Sequence, residues 1–140
     1  YGPSIQSQRL LMMRYANASL ATGQPDRAVA MCEKYFEAFP HMNFRYNAQT
    51  MPFIQILVQA NRYDLAKKHI EILAEETRQH LNFYYSLDQD DLQAGFGRDF
   101  ASFNQTKDDL IRMVQAGKDD AYAKELQTMF QEYSVNNVPN

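Results

Sequence analysis

The chain has 140 residues, the size of a single domain, and 45% of them are apolar, with nine Phe and nine Tyr. That is enough to bury a core, and it argues against global disorder. Fourteen basic against 17 acidic residues leave a formal charge of −3, so there is no broad cationic field for nucleic acid. A single cysteine, Cys32, excludes an internal disulfide and any multi-cysteine metal site, while leaving the compartment open.

The chain begins Tyr1-Gly2-Pro3 without an initiator Met and reads as a fragment or a processed chain; it shows no signal-peptide pattern. Its longest uncharged run, 46–61, is 16 residues and includes Pro52, two Asn and three Gln. A spanning helix needs ~20 mostly apolar residues, so this segment is not expected to insert directly into a membrane. Ala, Leu and Met total 33 residues against 16 for Val, Ile and Thr, which favours helix over strand. No useful stretch alternates apolar and polar residues, so no strand is predicted.

The first helix is predicted over 4–22, capped by Ser4, with Leu11, Tyr15, Ala18 and Ala21 as its buried stripe and Met12 and Leu20 widening it. Gly23 ends it in the position that favours a left-handed residue. Pro25 in a first turn and Asp26 at the positive end of the dipole open a second helix over 25–39. It buries Ala28, Met31, Cys32, Tyr35, Phe36 and Phe39, and Pro40 stops it. A connection over 41–49 leads to a third helix over 49–60, with Pro52 in its first turn. Its apolar face is Phe53, Ile54, Leu57 and Val58, and Asn61 is its C-cap. A fourth helix over 63–84 carries Leu65, Ala66, His69, Ile70, Leu73 and Thr77 on one side. Ser86 and Gln89 fit a capping box at the start of the next helix. Gly95 and Gly97 interrupt its early turns, so the fifth helix settles over 98–116 and ends at Gly117. A sixth over 119–133 turns Tyr122, Leu126, Met129, Phe130 and Tyr133 inward, and residues 135–140 form a frayed tail to a single domain over 1–134.

Gly23 and Asn61 are 38 residues apart, and on that spacing Ala28 meets Ala66, Cys32 meets Ile70 and Tyr35 meets Leu73. Residues 23–40 resemble the second half of a tetratricopeptide unit, with its turn Gly, a small Ala28 at the helix crossing and a closing Pro40. The 41–49 connection absorbs the excess over the usual ~34-residue period. Gly117 aligned with Gly23 opens a third, weaker pair, in which the small position falls on Tyr122, or on Ala121 or Ala123 after a slip. The expected fold is therefore all-α: three stacked antiparallel hairpins in a tetratricopeptide-like right-handed superhelix, each hairpin covering the face its neighbour leaves bare. The alternative is a generic helical bundle.

The run Leu81-Asn82-Phe83-Tyr84-Tyr85-Ser86-Leu87-Asp88, set after two such hairpins and before a long helix pair, resembles the C-terminal region of a bacterial family. Its members are multi-pass membrane proteins of unknown function, similar to membrane-embedded glycosyltransferases that use lipid-linked sugars and to transmembrane protein O-mannosyltransferase. The resemblance spans roughly 9–133. It implies that this chain is the C-terminal soluble part of a larger membrane-bound protein, on the periplasmic side of the inner membrane. It implies also that the catalytic residues lie in the membrane part, with none in this chain.

Residue by residue, catalytic chemistry is not expected. His41, His69 and His80 are the only histidines; His69 and His80 share a helix face but lie ~16 Å apart, and no His-Glu-x-x-His pattern occurs, so no metal site is predicted. Asp88, Asp90 and Asp91 resemble the start of a calcium loop, but Leu92 and Gln93 occupy a ligand position and the turn-glycine position. Glu71, Glu75 and Glu76 beside Lys67, Lys68 and Arg78 read as a solvated charged face. Cys32 reads as a buried inert thiol. Gly95-Phe96-Gly97 lacks the third glycine of a dinucleotide loop, and no cofactor is expected. The sequons at Asn17 and Asn104 fall inside helices and read as coincidence.

One surface remains. The first helix of each tetratricopeptide pair lines a concave groove. That transfer places Met13, Asn17 and Leu20 there from the first unit, and Met51, Gln55 and Gln59 from the second. These uncharged side chains do not reproduce the lysine-and-asparagine clamp used for C-terminal carboxylates. They suit an extended peptide or a neighbouring protein segment, including the membrane part of the same polypeptide. The competing expectation is that the chain's own later helices fill the groove. The expected function is a non-catalytic interaction or accessory domain, with a free-standing peptide-binding adaptor as the alternative.

Overall fold

The computed structural model describes residues 2–133. The predicted tail lies outside them, and the predicted cap Ser4 lies outside the residues whose side chains are described. Helices follow one another as α1 (Gly2–Ala21), α2 (Pro25–Ala38), α3 (Met51–Gln59), α4 (Tyr63–Tyr85) and a single turn α5 (Gln89–Asp91). A π-helical turn, Leu92–Phe96, then leads into α6 (Gly97–Ala116), and α7 (Asp120–Phe130) ends in a 3-10 turn, Gln131–Tyr133. There is no strand among the described residues. The fold is all-α, with six helices packed together.

Three of the helix–helix joints share one geometry. Gly23, Asn61 and Lys118 take left-handed backbones with φ of 76°, 67° and 61°. The next amide in each case reaches back five residues: Gln24 N–H donates to Ser19 O at 2.8 Å, Arg62 N–H to Leu57 O at 2.9 Å and Asp119 N–H to Val114 O at 3.2 Å. These are Schellman turns, which satisfy the orphan carbonyls of the ending helix. Five residues past each left-handed residue stands a small buried one: Ala28, Ala66 and Ala123. The third pair is thus in register through Lys118 and Ala123, one residue later than the alignment on Gly117 expects. Gly117 itself has an ordinary φ, and its role is close approach: a Cβ there would lie 2.4 Å from Cδ1 of Tyr63.

The hairpins α1–α2, α3–α4 and α6–α7 stack through their neighbours. Helix α2 packs on both α1 and α3, α4 lies between α3 and α6, and α3 touches α1 on one side and α6 on the other. The core is continuous through the stack. Between the first two hairpins Tyr35 stacks on Phe53 and Phe36 on His69, both with centroids 3.6 Å apart. Apolar side chains of α3, α4, α6 and α7, among them Leu57, Leu73, Leu110 and Leu126, fill the remainder.

The predicted stripe of α1 is turned outward. Leu11 is 66% and Tyr15 46% exposed, and Ala18 and Ala21 are also exposed. The buried positions are Ala16 and Ser19, with Met12, Met13 and Leu20 partly covered. The physical reason is that α1 has apolar residues around most of its circumference, and its neighbours α2 and α3 cover one side. The predicted Ser86–Gln89 capping box is also displaced. Ser86 lies in the α region at the end of α4 and its hydroxyl donates back to Phe83 O at 2.5 Å. The extended residue is Asp88, whose carboxylate accepts the Asp91 N–H at 2.8 Å.

Candidate functional site

The groove residues predicted from the repeat fall into three sets. Met51, Gln55 and Gln59 project from one side of α3 and, with Val58, face Asp109, Arg112, Met113 and Ala116 of α6 across a cavity of about 510 Å³. The i, i+4, i+8 spacing of Met51, Gln55 and Gln59 puts all three on one helix face. Met51 is buried at the base while both amides are exposed. Met13 lines a second cavity of about 350 Å³, between α1 and the start of α3, with Arg9, Leu10, Ala48, Gln49 and Pro52. Arg9 donates to Gln49 Oε1 at 2.6 Å, and its guanidinium sits 5.0 Å from the Phe39 ring centroid. Asn17 is exposed on α1 and Leu20 is partly buried against the core; neither lines these two cavities. The walls also carry more charge than the sequence-predicted set, since Arg112 and Asp109 pair beside the first cavity.

A third cavity of about 630 Å³ opens beside the second and shares Ala48 and Gln49 with it. Its far wall is Glu76, His80 and Tyr84 of α4 with Asp99, Ser102 and Phe103 of α6. Glu76 does not belong to the solvated face assigned to it with Glu71 and Glu75. It is 5% exposed, because it follows Leu73 at a three-residue step on the buried side of α4. Its carboxylate lies 3.4 Å from Arg45 Nε, 3.5 Å from His41 Nε2 and 3.7 Å from His80 Nδ1. His80 also hydrogen-bonds the Glu76 carbonyl at 2.9 Å and lies over Phe103, centroids 4.1 Å apart. The 41–50 connection is thereby tied to α4: His41 Nδ1 accepts the Tyr46 N–H at 3.0 Å while its other nitrogen faces Glu76.

Sequence reasoning treated the histidines as isolated, and the chain fold brings two of them to one carboxylate. The signal was a glutamate in register with the buried stripe of α4, with a histidine four residues on. His69 is separate. It lies under Phe36, with Nδ1 2.9 Å from the Tyr46 hydroxyl. Burial, reinforced by Lys68, lowers its pKa to about 4, so the ring is neutral at pH 7. Burial, with Glu33 adding to it, pushes the Cys32 thiol up to about 12, which leaves it protonated and unreactive. Among the described residues no three His, Cys, Asp or Glu side chains are grouped so as to hold a metal ion, and no helix is long and apolar enough to cross a membrane. What the three cavities offer is patches of amide, thioether, aromatic and paired charged groups, two of them between α1, α3 and α6 and the third between the 45–49 connection, α4 and α6, which suits non-covalent recognition. No protein-family model, curated protein or solved structure matches this chain.

Proposed function

We propose that this chain is a non-catalytic interaction or accessory domain, a tetratricopeptide-like right-handed stack whose α1, α3 and α6 form a concave face for an extended protein segment. The observation that carries the reading is the threefold recurrence of one Schellman turn followed by a buried alanine. With it comes the side-by-side placement of α1, α3 and α6 and the two cavities between them. Exposed Gln55 and Gln59 can hydrogen-bond a peptide backbone, each amide offering donors and an acceptor. Met13, Met51 and Met113 supply adaptable apolar contact beside them. Since Gln55 and Gln59 are exposed, the later helices do not consume their hydrogen-bonding capacity.

The Tyr84-Tyr85-Ser86-Leu87 run extends the proposal. In that reading the chain is the C-terminal part, outside the membrane, of a glycosyltransferase-like membrane protein on the periplasmic side of a bacterial inner membrane. The segment bound would come from the membrane part of the same polypeptide or from a partner protein. The experiment is selection from a library of displayed, unstructured peptides on the immobilised chain, followed by affinity measurement on Gln55→Ala with Gln59→Ala. Weaker binding with an unchanged melting temperature is the expected result. Undiminished affinity, or failure to select any peptide, contradicts the groove, and a large fall in melting temperature means that the amides serve the fold instead.

A further inference from the structure

A different surface, the end face formed by α1 and α2, departs from the pattern set by the other two hairpins. Registering the hairpins on their left-handed residues Gly23, Asn61 and Lys118 makes Tyr15 equivalent to Phe53 and Leu110, and Met31 equivalent to His69 and Leu126. Ala18 is likewise equivalent to Ile56 and Met113. In the second and third hairpins all six equivalents are buried. Phe53 and His69 receive the rings of Tyr35 and Phe36, two adjacent aromatics on the preceding hairpin's second helix. In the first hairpin Tyr15 and Ala18 are exposed and Met31 is only partly buried. Tyr15 is nearly half exposed and Leu11, one turn before it, is two-thirds exposed. Tyr15 and Met31 line a shallow cavity of about 220 Å³ with Ala30, and Arg27 and Lys34 stand at its edge. Neither cation forms an ion pair among the described residues. The opposite end of the stack contrasts: the exposed side chains of α7 are Asp120, Ala121, Lys124, Glu125, Gln127 and Thr128, a mostly polar outer face of the kind that closes a repeat array.

We propose that the α1–α2 end face docks a helix from another protein segment that carries two adjacent aromatic side chains with carboxylates beside them. The aromatic pair seats on Tyr15 and Met31 as Tyr35 and Phe36 seat on Phe53 and His69, and the carboxylates meet Arg27 and Lys34. The internal repeat supplies the shape of this occupant, and the two cations supply its charge. The site is distinct from the concave face, so either can fail without the other.

The probe is a fluorescein-labelled peptide of residues 24–39, the chain's own α2 sequence, which holds the Tyr35–Phe36 pair between Glu33 and Glu37. Ala30→Glu joined to Lys34 by a lactam holds it helical, and Cys32→Ala prevents oxidation. Saturable binding to the full chain is expected, weakened at least ~10-fold by Tyr15→Ser with Met31→Gln. A peptide with Tyr35→Ser and Phe36→Ser should not bind. If the double variant melts early, Tyr15→Ser alone, at an already exposed position, carries the test. Absence of saturable binding, equal binding by the serine peptide, or equal binding to the variants overturns the proposal. So does a concentration-dependent dimer in sedimentation that Tyr15→Ser abolishes, because that assigns the face to a second copy of the chain.

Discussion

Two glycines end two of the helices, and they are required for different reasons. Gly23 needs its backbone freedom: at φ 76° any Cβ is strained, although the space around it is open. Gly117 needs its missing side chain, because the Tyr63 ring lies across it and is held there by a hydrogen bond to Asp119 Oδ2 at 2.7 Å. Gly117→Ala should therefore cost ~1–3 kcal/mol by overpacking, and Tyr63→Ser in the same chain should recover part of it. Gly23→Ala should cost about 1 kcal/mol with no such rescue. Urea denaturation of the four variants checks this, and independence of Gly117→Ala from Tyr63 would contradict the contact. His69 supplies a pH dependence of known sign. Its folded pKa is lowered to about 4, below the ~6.5 of an unfolded chain. The unfolded state thus binds the proton first, and stability falls as pH drops from ~6.5 towards 4, by up to ~3 kcal/mol from this residue. His69→Gln should flatten the stability profile over that interval, and parallel profiles for the two proteins would show that His69 is not held neutral.

At the scale of the elements, the helices were readable because their punctuation is local. Pro25, Pro40, Pro52 and Asn61 act through backbone geometry that needs no tertiary partner, and α2, α3, α4 and α6 fall within two residues of their predicted spans. The inner face of α2 was equally legible, because Cys32, Tyr35, Phe36 and Phe39 form one stripe. The face of α1 was not. Apolar periodicity reports that a stripe suits burial, but what covers it is decided by the neighbouring helix, and here α2 and α3 occupy the other side. The alanines at the crossings give the repeat its test. Ala28→Leu and Ala66→Leu should each destabilise by ~1–3 kcal/mol, since both sites are fully buried. Ala121→Leu, which the Gly117 alignment would have allowed at the crossing, should cost little because Ala121 is exposed. Chemical denaturation midpoints separate the three, and an unshifted midpoint for Ala28→Leu would mean that α1 and α2 do not cross there.

Across the whole molecule, the parts of the surface that depend on long-range contacts were hidden from the sequence. Met51, Gln55 and Gln59 could be placed together because they share one helix. Their partners Asp109, Arg112 and Met113 come from α6, some fifty residues on, and periodicity within one helix carries no information about that pairing. Glu76 with His41, Arg45 and His80 was missed for the same reason: a loop and a helix meet only when the stack forms. Five of the seven methionines sample these surfaces: Met51 and Met113 the α3–α6 cavity, Met13 the α1–α3 cavity, Met31 the end face and Met42 the exposed connection. The most direct measurement is therefore the methyl spectrum of the methionine-labelled chain, recorded while a library-selected extended peptide is added. The concave-face account predicts that the Met51 and Met113 signals move, with Met13, while Met31 and Met42 stay. Movement confined to Met31 or Met42, with Met51 and Met113 unchanged at saturation, would contradict it.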